Sequence, residues 1–157
     1  MTVLALKTTE LGDDARNYPT QNHGKLRYQF FDLPATAAEG EVASTIDLCN
    51  LPPGRVRVLP HLSRLTHSAF GAGRTLKIGH LAYASKDPNT GDPEAADDDA
   101  FTPAALDVAT ASDSVAFSAK LKYDIYSKAG VRVQALVGGD TIPAGASLSG
   151  CIAYICE

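Results

Sequence analysis

The chain has 157 residues, of which 45% are hydrophobic and 20% charged, a balance that suits one folded domain and excludes a disordered chain. Its formal net charge of -4 gives no general attraction to nucleic acid, and no run of about 20 apolar residues could span a bilayer. We therefore expect a protein that binds neither nucleic acid nor membrane.

Residues 1–24 have the composition of an N-terminal arm. A short apolar run from Val3 to Leu6 is followed by polar residues and turn formers such as Pro19. The segment lacks the basic region and the sustained apolar stretch of a secretory signal, so we expect a protein made in the cytoplasm and not exported by that route. Such an arm either frays or orders on a partner, and Val3, Leu4 and Leu6 are side chains that a partner could capture.

From residue 25 onward, apolar and polar side chains alternate with the period of two that is typical of β-strands. Leu26, Tyr28 and Phe30 share one parity, which predicts a half-buried strand with these side chains toward the core. The same alternation predicts further strands at 42–49, 55–58 and 76–83. The last of these would contain a bulge at Gly79–His80, where the apolar spacing lengthens from two to three.

The middle of the chain is less regular. Residues 86–101 are rich in acidic residues and contain no apolar periodicity, which predicts a long surface loop. Thr102 followed by a proline predicts a short helical turn as far as Leu106, because threonine caps helices and proline suits their first position. Weak strands are predicted around Val108 and at 115–117.

The region Lys120–Glu157 has the clearest pattern. Alternating strands at 120–125 and 131–137 flank a short connection at 127–130, as in a β-hairpin. The final strand, 146–156, carries apolar side chains on both faces. It is therefore predicted to be either a central, covered strand or part of a subunit interface.

About eight strands with closely spaced turns, and no helix longer than a turn or two, predict an all-β protein. We predict a jelly-roll-like two-sheet sandwich formed by residues 25–157 as a single domain, with residues 1–24 as an extended N-terminal arm. An immunoglobulin-like sandwich and another kind of barrel remain alternatives.

Residue types that carry chemistry are present, but their spacing does not match known sites. Cys49, Cys151 and Cys156 lie in apolar runs without CxxC spacing, which favours buried free thiols in a reducing compartment. The four histidines have no metal-ligand spacing, and the run 87–92 departs from a calcium loop because its glycine comes one position too early. We predict no catalytic residue, no cofactor and no metal.

Charge is unevenly distributed along the chain. Arg55, Arg57, His61 and His67 belong to the one basic stretch, whereas residues 86–101 hold the one acidic stretch. Setting aside the six acids of that loop changes the net charge of the remainder from -4 to +2. In a symmetric oligomer, the acidic loop of one subunit would be able to meet the basic strands of the next.

Three segments, Ile46–Val58, Arg74–His80 and Asp140–Ala146, carry a combined pattern of turns and strands. Together they resemble small structural proteins of tailed bacteriophages, and within that group they are most similar to head decoration, or cement, proteins. The likeness covers about Glu41–Glu157.

The resemblance implies a jelly-roll protomer, commonly a trimer, on the outer surface of the capsid. There it would clamp neighbouring major capsid protein subunits, with an arm that reaches over an adjacent subunit. No catalytic residue carries over. The residues that we predict to bind partners are Val3, Leu4, Leu6, Arg55, Arg57, His61 and His67.

Two other classes of function are alternatives to this one. Jelly rolls also serve as carbohydrate-binding or receptor-binding modules of virions, but such platforms need exposed aromatic side chains, and most Tyr and Phe residues here have parities that predict burial. A cupin-like metal enzyme would need a set of histidine ligands that the sequence does not supply.

Overall fold

The structure is a computed structural model and describes residues 5–7, 25–86 and 93–156. Most of the predicted arm, residues 1–24, lies outside the described residues. The strands are β1 (Ala5–Lys7), β2 (Leu26–Leu33), β3 (Thr45–Leu51), β4 (Gly54–Val58), β5 (Arg64–His67), β6 (Thr75–His80), β7 (Leu106–Asp107), β8 (Ser112–Ala116), β9 (Tyr123–Ser127), β10 (Val131–Gly138) and β11 (Leu148–Cys156).

The strands form two sheets that pack face to face, so the predicted all-β sandwich is confirmed. Sheet A has the strand order β1-β3-β10-β6-β7, and sheet B has the order β8-β5-β11-β4-β9. In sheet B, β2 pairs with the other edge of β11, while β4 and β5 share one edge end to end. The backbone of β1 pairs with β3 in parallel, and the other described pairs are antiparallel.

Alternation in β10 builds the centre of the core. Val131, Val133, Ala135 and Val137 are each at most 2% exposed and point from sheet A toward sheet B, as predicted. Tyr154 of β11 faces them from sheet B and is also buried. Each fully buried large apolar side chain contributes roughly 1.5–3 kcal/mol to folding, so these two strands add to the apolar stabilisation that the core as a whole supplies.

The bulge that we predicted at Gly79–His80 is not present. In the β10–β6 register, Val133 pairs with His80 and Gln134 with Gly79 without a shift, so His80 takes the next core position after Ile78. The hydrophobic pattern did not predict a side chain at this core position, and the buried imidazole of His80 fills it. The strand ends there, and the backbone of Tyr83 forms an isolated bridge with residue 94.

A real bulge lies in β3 instead. The register against β10 shifts between Val133 and Gln134, whose partners are Cys49 and Asp47, and this leaves Leu48 as the extra residue. Leu48 and Cys49 are consequently both buried, although simple alternation places them on opposite faces.

The predicted helical turn at 102–106 is also absent. Thr102 is buried, and its side-chain Oγ1 accepts a hydrogen bond from the Ile78 N–H at 2.6 Å and lies 3.4 Å from the Ile78 carbonyl oxygen. The side chain thus satisfies a strand backbone instead of capping a helix, because the chain here runs along the edge of sheet A. Strand β5 was not predicted.

Candidate interaction surface

The outer face of sheet B is defined by the register of its strands. Side chains of paired residues point to the same side of a sheet, and those that alternate with the buried Val56 and Ile125 point outward. Two rows of outward side chains therefore cross the face from β2. The rows are Leu26, Ile155, Arg57 and Asp124 in the first, and Phe30, Cys151, Arg64 and Ala116 in the second.

Strand β2 presents an exposed apolar stripe on this face. The prediction that Leu26, Tyr28 and Phe30 share a face is right, but the face points to solvent, with side chains that are 44%, 46% and 63% exposed. The rings of Tyr28 and Phe30 lie with their centroids 6.5 Å apart. Phe31 and Leu33, of opposite parity, enter the core instead. We call Leu26, Tyr28 and Phe30 the β2 stripe.

Most of the exposed large hydrophobic side chains among the described residues belong to the β2 stripe. Only two other large hydrophobic side chains there are exposed, Val42 at 56% and Leu121 at 71%. Single apolar side chains on a surface need no explanation, whereas a contiguous group is typical of an interaction site. The stripe is therefore the strongest apolar candidate for contact with another molecule.

Arginine side chains lie on the same outer face as the stripe, two strands away from β2, on β4 and β5. The Arg57 Nε donates to Asp124 Oδ1 at 2.8 Å, and Lys122 Nζ lies 3.4 Å from the other carboxylate oxygen. Burial alone would raise the pKa of Asp124, but the hydrogen bond and charge of Arg57, together with Lys122, outweigh it and lower the pKa. Arg55 lies on the same face, and Arg64 forms no ion pair within the described ranges.

An open depression of about 600 Å³ lies beside Arg64. Its lining includes His61, Phe117 and the small side chains of Ala104 and Ala116. Nδ1 of His61 is buried and has no hydrogen-bond partner in the described part of the chain. The depression is wide enough to receive a side chain of a partner but does not enclose a small molecule.

Acidic side chains lie on the side of the sandwich where β6 of sheet A and β9 of sheet B meet. Residues 93–99, the acidic segment, pair with Tyr83 and His80 through backbone bridges formed by Glu94 and Asp97. Within the segment, Asp98 is exposed and Asp99 lies 3.2 Å from Lys77 Nζ. The exposed Leu121 is two residues before the start of β9, so acidic and apolar groups occur together on this side.

A cluster of buried and half-buried side chains lies on this side of the sandwich. Nε2 of His80 lies 3.0 Å from the Tyr123 hydroxyl, which in turn lies 3.5 Å from an Asp97 carboxylate oxygen. The Phe101 ring meets Tyr123 edge to face with centroids 5.4 Å apart. Burial, and next the charge of Asp97, raise the pKa of Tyr123 to about 12, so its hydroxyl stays protonated and serves as a structural hydrogen-bonding group.

The residues predicted to bind partners are not all brought together. Val3 and Leu4 lie outside the described residues, and of Leu6 only the backbone is described, in β1. Arg55 and Arg57 lie together on the outer face of sheet B, with His61 in a turn near Arg64. His67 lies on the core side, 4% exposed and edge-on to Phe70. The β2 stripe was missed because alternation gives the parity of a strand and not the direction of its faces.

Two other kinds of site are absent from residues 5–7, 25–86 and 93–156. No group of three or more His, Cys, Asp or Glu side chains there could hold a metal ion. No helix among these residues is long and apolar enough to cross a membrane. All three cysteines are free, with Cys49 buried and Cys151 and Cys156 half-buried.

Comparison with known proteins identifies a shared fold. No family model matches the chain, and no curated protein matches it. Among solved structures, the chain is similar to one in the capsid of Ralstonia phage GP4, with a TM-score of 0.66 and 19% identity over 98% of both chains. It also matches a chain of the cyanophage Pam1 capsid asymmetric unit, with a TM-score of 0.42 and 15% identity over 90% of this chain and 94% of that one. The fold described above is thus one that a chain of the GP4 capsid also adopts.

Proposed function

We propose that this chain is a structural protein of a tailed-phage head. It decorates the outer surface of the capsid as a trimer and stabilises the shell by bridging major capsid protein subunits. The observation that carries the proposal is the fold shared with a chain of the Ralstonia phage GP4 capsid over 98% of both chains. The turn-and-strand pattern of Ile46–Val58 supports it independently of the structure.

The physical basis of such a role is preferential binding to the assembled lattice. A protein that contacts two neighbouring subunits at once binds the closed shell better than free subunits, and the difference in binding free energy stabilises the shell. Arg55 and Arg57 on sheet B, and Val3 and Leu4 in the arm, are the proposed lattice contacts. His67 is left out of this set because its side chain is buried.

The test uses undecorated, expanded heads of the phage that encodes the chain. The purified protein should co-sediment with these heads and raise the temperature at which they release DNA. A double variant, Val3→Ser with Leu4→Ser, should weaken co-sedimentation, whereas the control variant Val42→Ser should not. Absence of both co-sedimentation and heat protection with the wild-type protein would refute the proposal.

A second candidate function is carbohydrate or receptor binding on a virion. The exposed, neighbouring rings of Tyr28 and Phe30 favour it, because sugar-binding platforms use exposed aromatic faces. A glycan array supports this function if hits appear with the wild-type chain and disappear with Tyr28→Ser. An array without hits rejects it.

A further inference from the structure

We propose that the open depression beside Arg64 is a binding site for a carboxylate side chain of a partner protein that contacts the outer face of sheet B. The inference rests on the proposed function and deepens it, because in that role the partner is the capsid shell, and the proposal names the chemical group that the shell supplies. The depression is lined by Arg64, by His61 in the turn before it, and by residues 104–107 and 116–119.

The register of sheet B leaves the Arg64 side chain without a counterion. Arg64 pairs with Cys151 on one side and with Ala116 on the other, so the three side chains point to the same, outer face. Both neighbours are small and uncharged, and the Arg64 side chain forms no ion pair or hydrogen bond within the described ranges. The residue is nevertheless half-buried. A guanidinium that is partly removed from water gains most from a carboxylate, which accepts two of its donors at once.

His61 supplies a second donor to the same depression. Its Nδ1 is buried and has no hydrogen-bond partner in the described part of the chain, whereas Nε2 also lacks a partner there but is accessible to solvent. Buried N–H groups are rarely left without an acceptor, so we assign the proton of the neutral ring to Nε2. The accessible Nε2–H is therefore able to donate to an added acceptor.

Two acidic side chains lie near this site, and neither forms an ion pair with Arg64. Asp107 also lines the depression, but its Oδ1 accepts from the Ala109 N–H at 2.9 Å in the turn after β7. Asp32 of β2 points to the same outer face, at a Cα distance of roughly 12 Å from Arg64, two strands away and two residues along. Salt screens exposed charges over that distance.

The nearby acids favour a carboxylate over a phosphate as the bound group. A phosphate carries close to two negative charges at neutral pH, and the Asp107 carboxylate would repel the second one. The net charge of -4 likewise gives no general attraction to nucleic acid. A single negative charge is therefore the better match to one arginine and one neutral histidine.

The walls of the depression suit the stem of an acidic side chain. Much of the lining consists of methyl groups, which belong to Ala104, Ala105, Ala116 and Ala119. The volume of about 600 Å³ is open to solvent, so a side chain can enter from a partner surface. The methylene groups of a glutamate would pack against the methyl groups, and its carboxylate would accept from the two donors. Because opposite charge contributes to specificity, the site would also select where a partner binds.

The first experiment measures binding of a small probe, the capped peptide acetyl-Ala-Glu-Ala-amide. The matching peptide with Gln in place of Glu is the neutral control. Both are titrated into the isotope-labelled full-length protein, and NMR follows the backbone amides of Ala104 and Ala116 and the side-chain Nε–H of Arg64. The Glu peptide should shift these signals in a saturable way. The Gln peptide should bind at least about tenfold more weakly, because charged acceptors form stronger hydrogen bonds with a guanidinium.

Two variants remove the donors one at a time. Arg64→Gln removes the charge, and His61→Phe removes the Nε2 donor but keeps an aromatic ring. Each should weaken binding of the Glu peptide at least about fivefold. The control variant Lys77→Gln removes one positive charge on the outer face of sheet A, because Lys77 alternates with the buried Leu76 and Ile78, and should bind like the wild type. Unfolding in urea verifies that each variant is folded.

The second experiment applies the same variants to undecorated, expanded heads. Arg64→Gln should co-sediment with the heads at least about tenfold more weakly than the wild type, as expected for a charged contact that is lost from an interface. Lys77→Gln should co-sediment like the wild type. An Arg64→Gln variant that binds the heads normally overturns the inference.

The peptide titrations give three further outcomes that overturn it. The Glu peptide gives no saturable shift, it binds no better than the Gln peptide, or inorganic phosphate binds at the same signals more tightly than the Glu peptide. The last result would assign the depression to phosphate groups.

Failure of the inference and failure of the proposed function give different results. A chain that co-sediments with heads but does not distinguish the two peptides loses the carboxylate site and keeps the capsid role. A chain that binds the Glu peptide selectively but ignores heads keeps the carboxylate site and loses the capsid role.

Discussion

The backbone of Asp97 lies directly against Gly79, so that a Cβ atom on residue 79 would overlap the Asp97 carbonyl oxygen. The neighbouring His80 N–H donates to the Asp97 carbonyl at 2.9 Å, and the Asp97 N–H donates to the His80 carbonyl at 3.0 Å. This close approach fixes the acidic segment to β6. Glycine is required at position 79 for space and not for an unusual backbone conformation.

Replacing Gly79 with alanine should displace the acidic segment. We expect Gly79→Ala to lower the free energy of unfolding by about 2 kcal/mol or more, because backbone atoms must move to admit the methyl group. Gly145→Ala is the matched control. Its φ is +80° and no atom lies within 4 Å of the added Cβ, so it should cost only about 1 kcal/mol. Urea unfolding measures both, and equal costs would contradict the steric explanation.

Tyr123 should make stability fall at alkaline pH. Its pKa is about 12 in the folded chain against 10.0 for a free side chain, with burial as the main cause. The unfolded state releases the proton first, so this contribution is fully present below pH 10 and is lost as the pH rises through 12. Tyr123→Phe should therefore lose less stability than the wild type between pH 10 and 12. The free energy of unfolding of each protein is measured in urea at several pH values. An equal decrease with pH in the two proteins would exclude Tyr123 as the cause.

Cys49 should react with thiol reagents only when the chain unfolds. Its side chain is completely buried, and burial raises the pKa of its thiol, so the reactive thiolate is scarce and inaccessible. In a variant with Cys151→Ser and Cys156→Ser, we expect labelling at least about a hundredfold slower in buffer than in denaturant. The reciprocal variant Cys49→Ser, which keeps the two half-buried thiols, should label readily in buffer. Fast native labelling of the first variant would contradict the buried position.

Asp47 joins neighbouring residues on the outer face of sheet A. It accepts from Gln134 Nε2 at 2.8 Å and lies 3.1 Å from Arg132 Nη1, with its side chain only 12% exposed. Asp47→Ala should lower the free energy of unfolding by about 1–2 kcal/mol, because both donors lose a charged acceptor. Asp124→Ala, at a more exposed ion pair, should cost less than about 1 kcal/mol. Urea unfolding should show a larger loss in the free energy of unfolding for Asp47→Ala than for Asp124→Ala.

Local alternation was enough to predict the central strands. In β10, hydrophobic side chains at every second position are buried and the intervening ones are not, because both flanking strands are regular over most of its length. The final strand was also interpreted correctly in part. Leu148, Ile152 and Tyr154 line the core, and Ile155 of the opposite parity is half-buried on the outer face.

Features set by distant parts of the chain were not predictable in the same way. Whether the β2 stripe faces in or out depends on its pairing with β11, more than 100 residues away in the sequence, since Phe31 and Leu33 compete for the same core. The bulge at Leu48 arises only from the register with β10. Gly79 carries a signal in the sequence, an isolated glycine in a strand, but the neighbour that requires it is a loop from elsewhere.

The position of β11 determines when sheet B can form during synthesis. This nine-residue strand follows the other described strands in the sequence, and β2, β4 and β5 all pair with it. Until it leaves the ribosome, these three strands lack the partner that joins them, although all the described strands of sheet A have already been synthesised. Sheet B must therefore assemble only after β11 has been synthesised, through contacts that close long loops and form slowly. A chain truncated before Leu148 would expose the unpaired edges of those strands, which are the surfaces that aggregate.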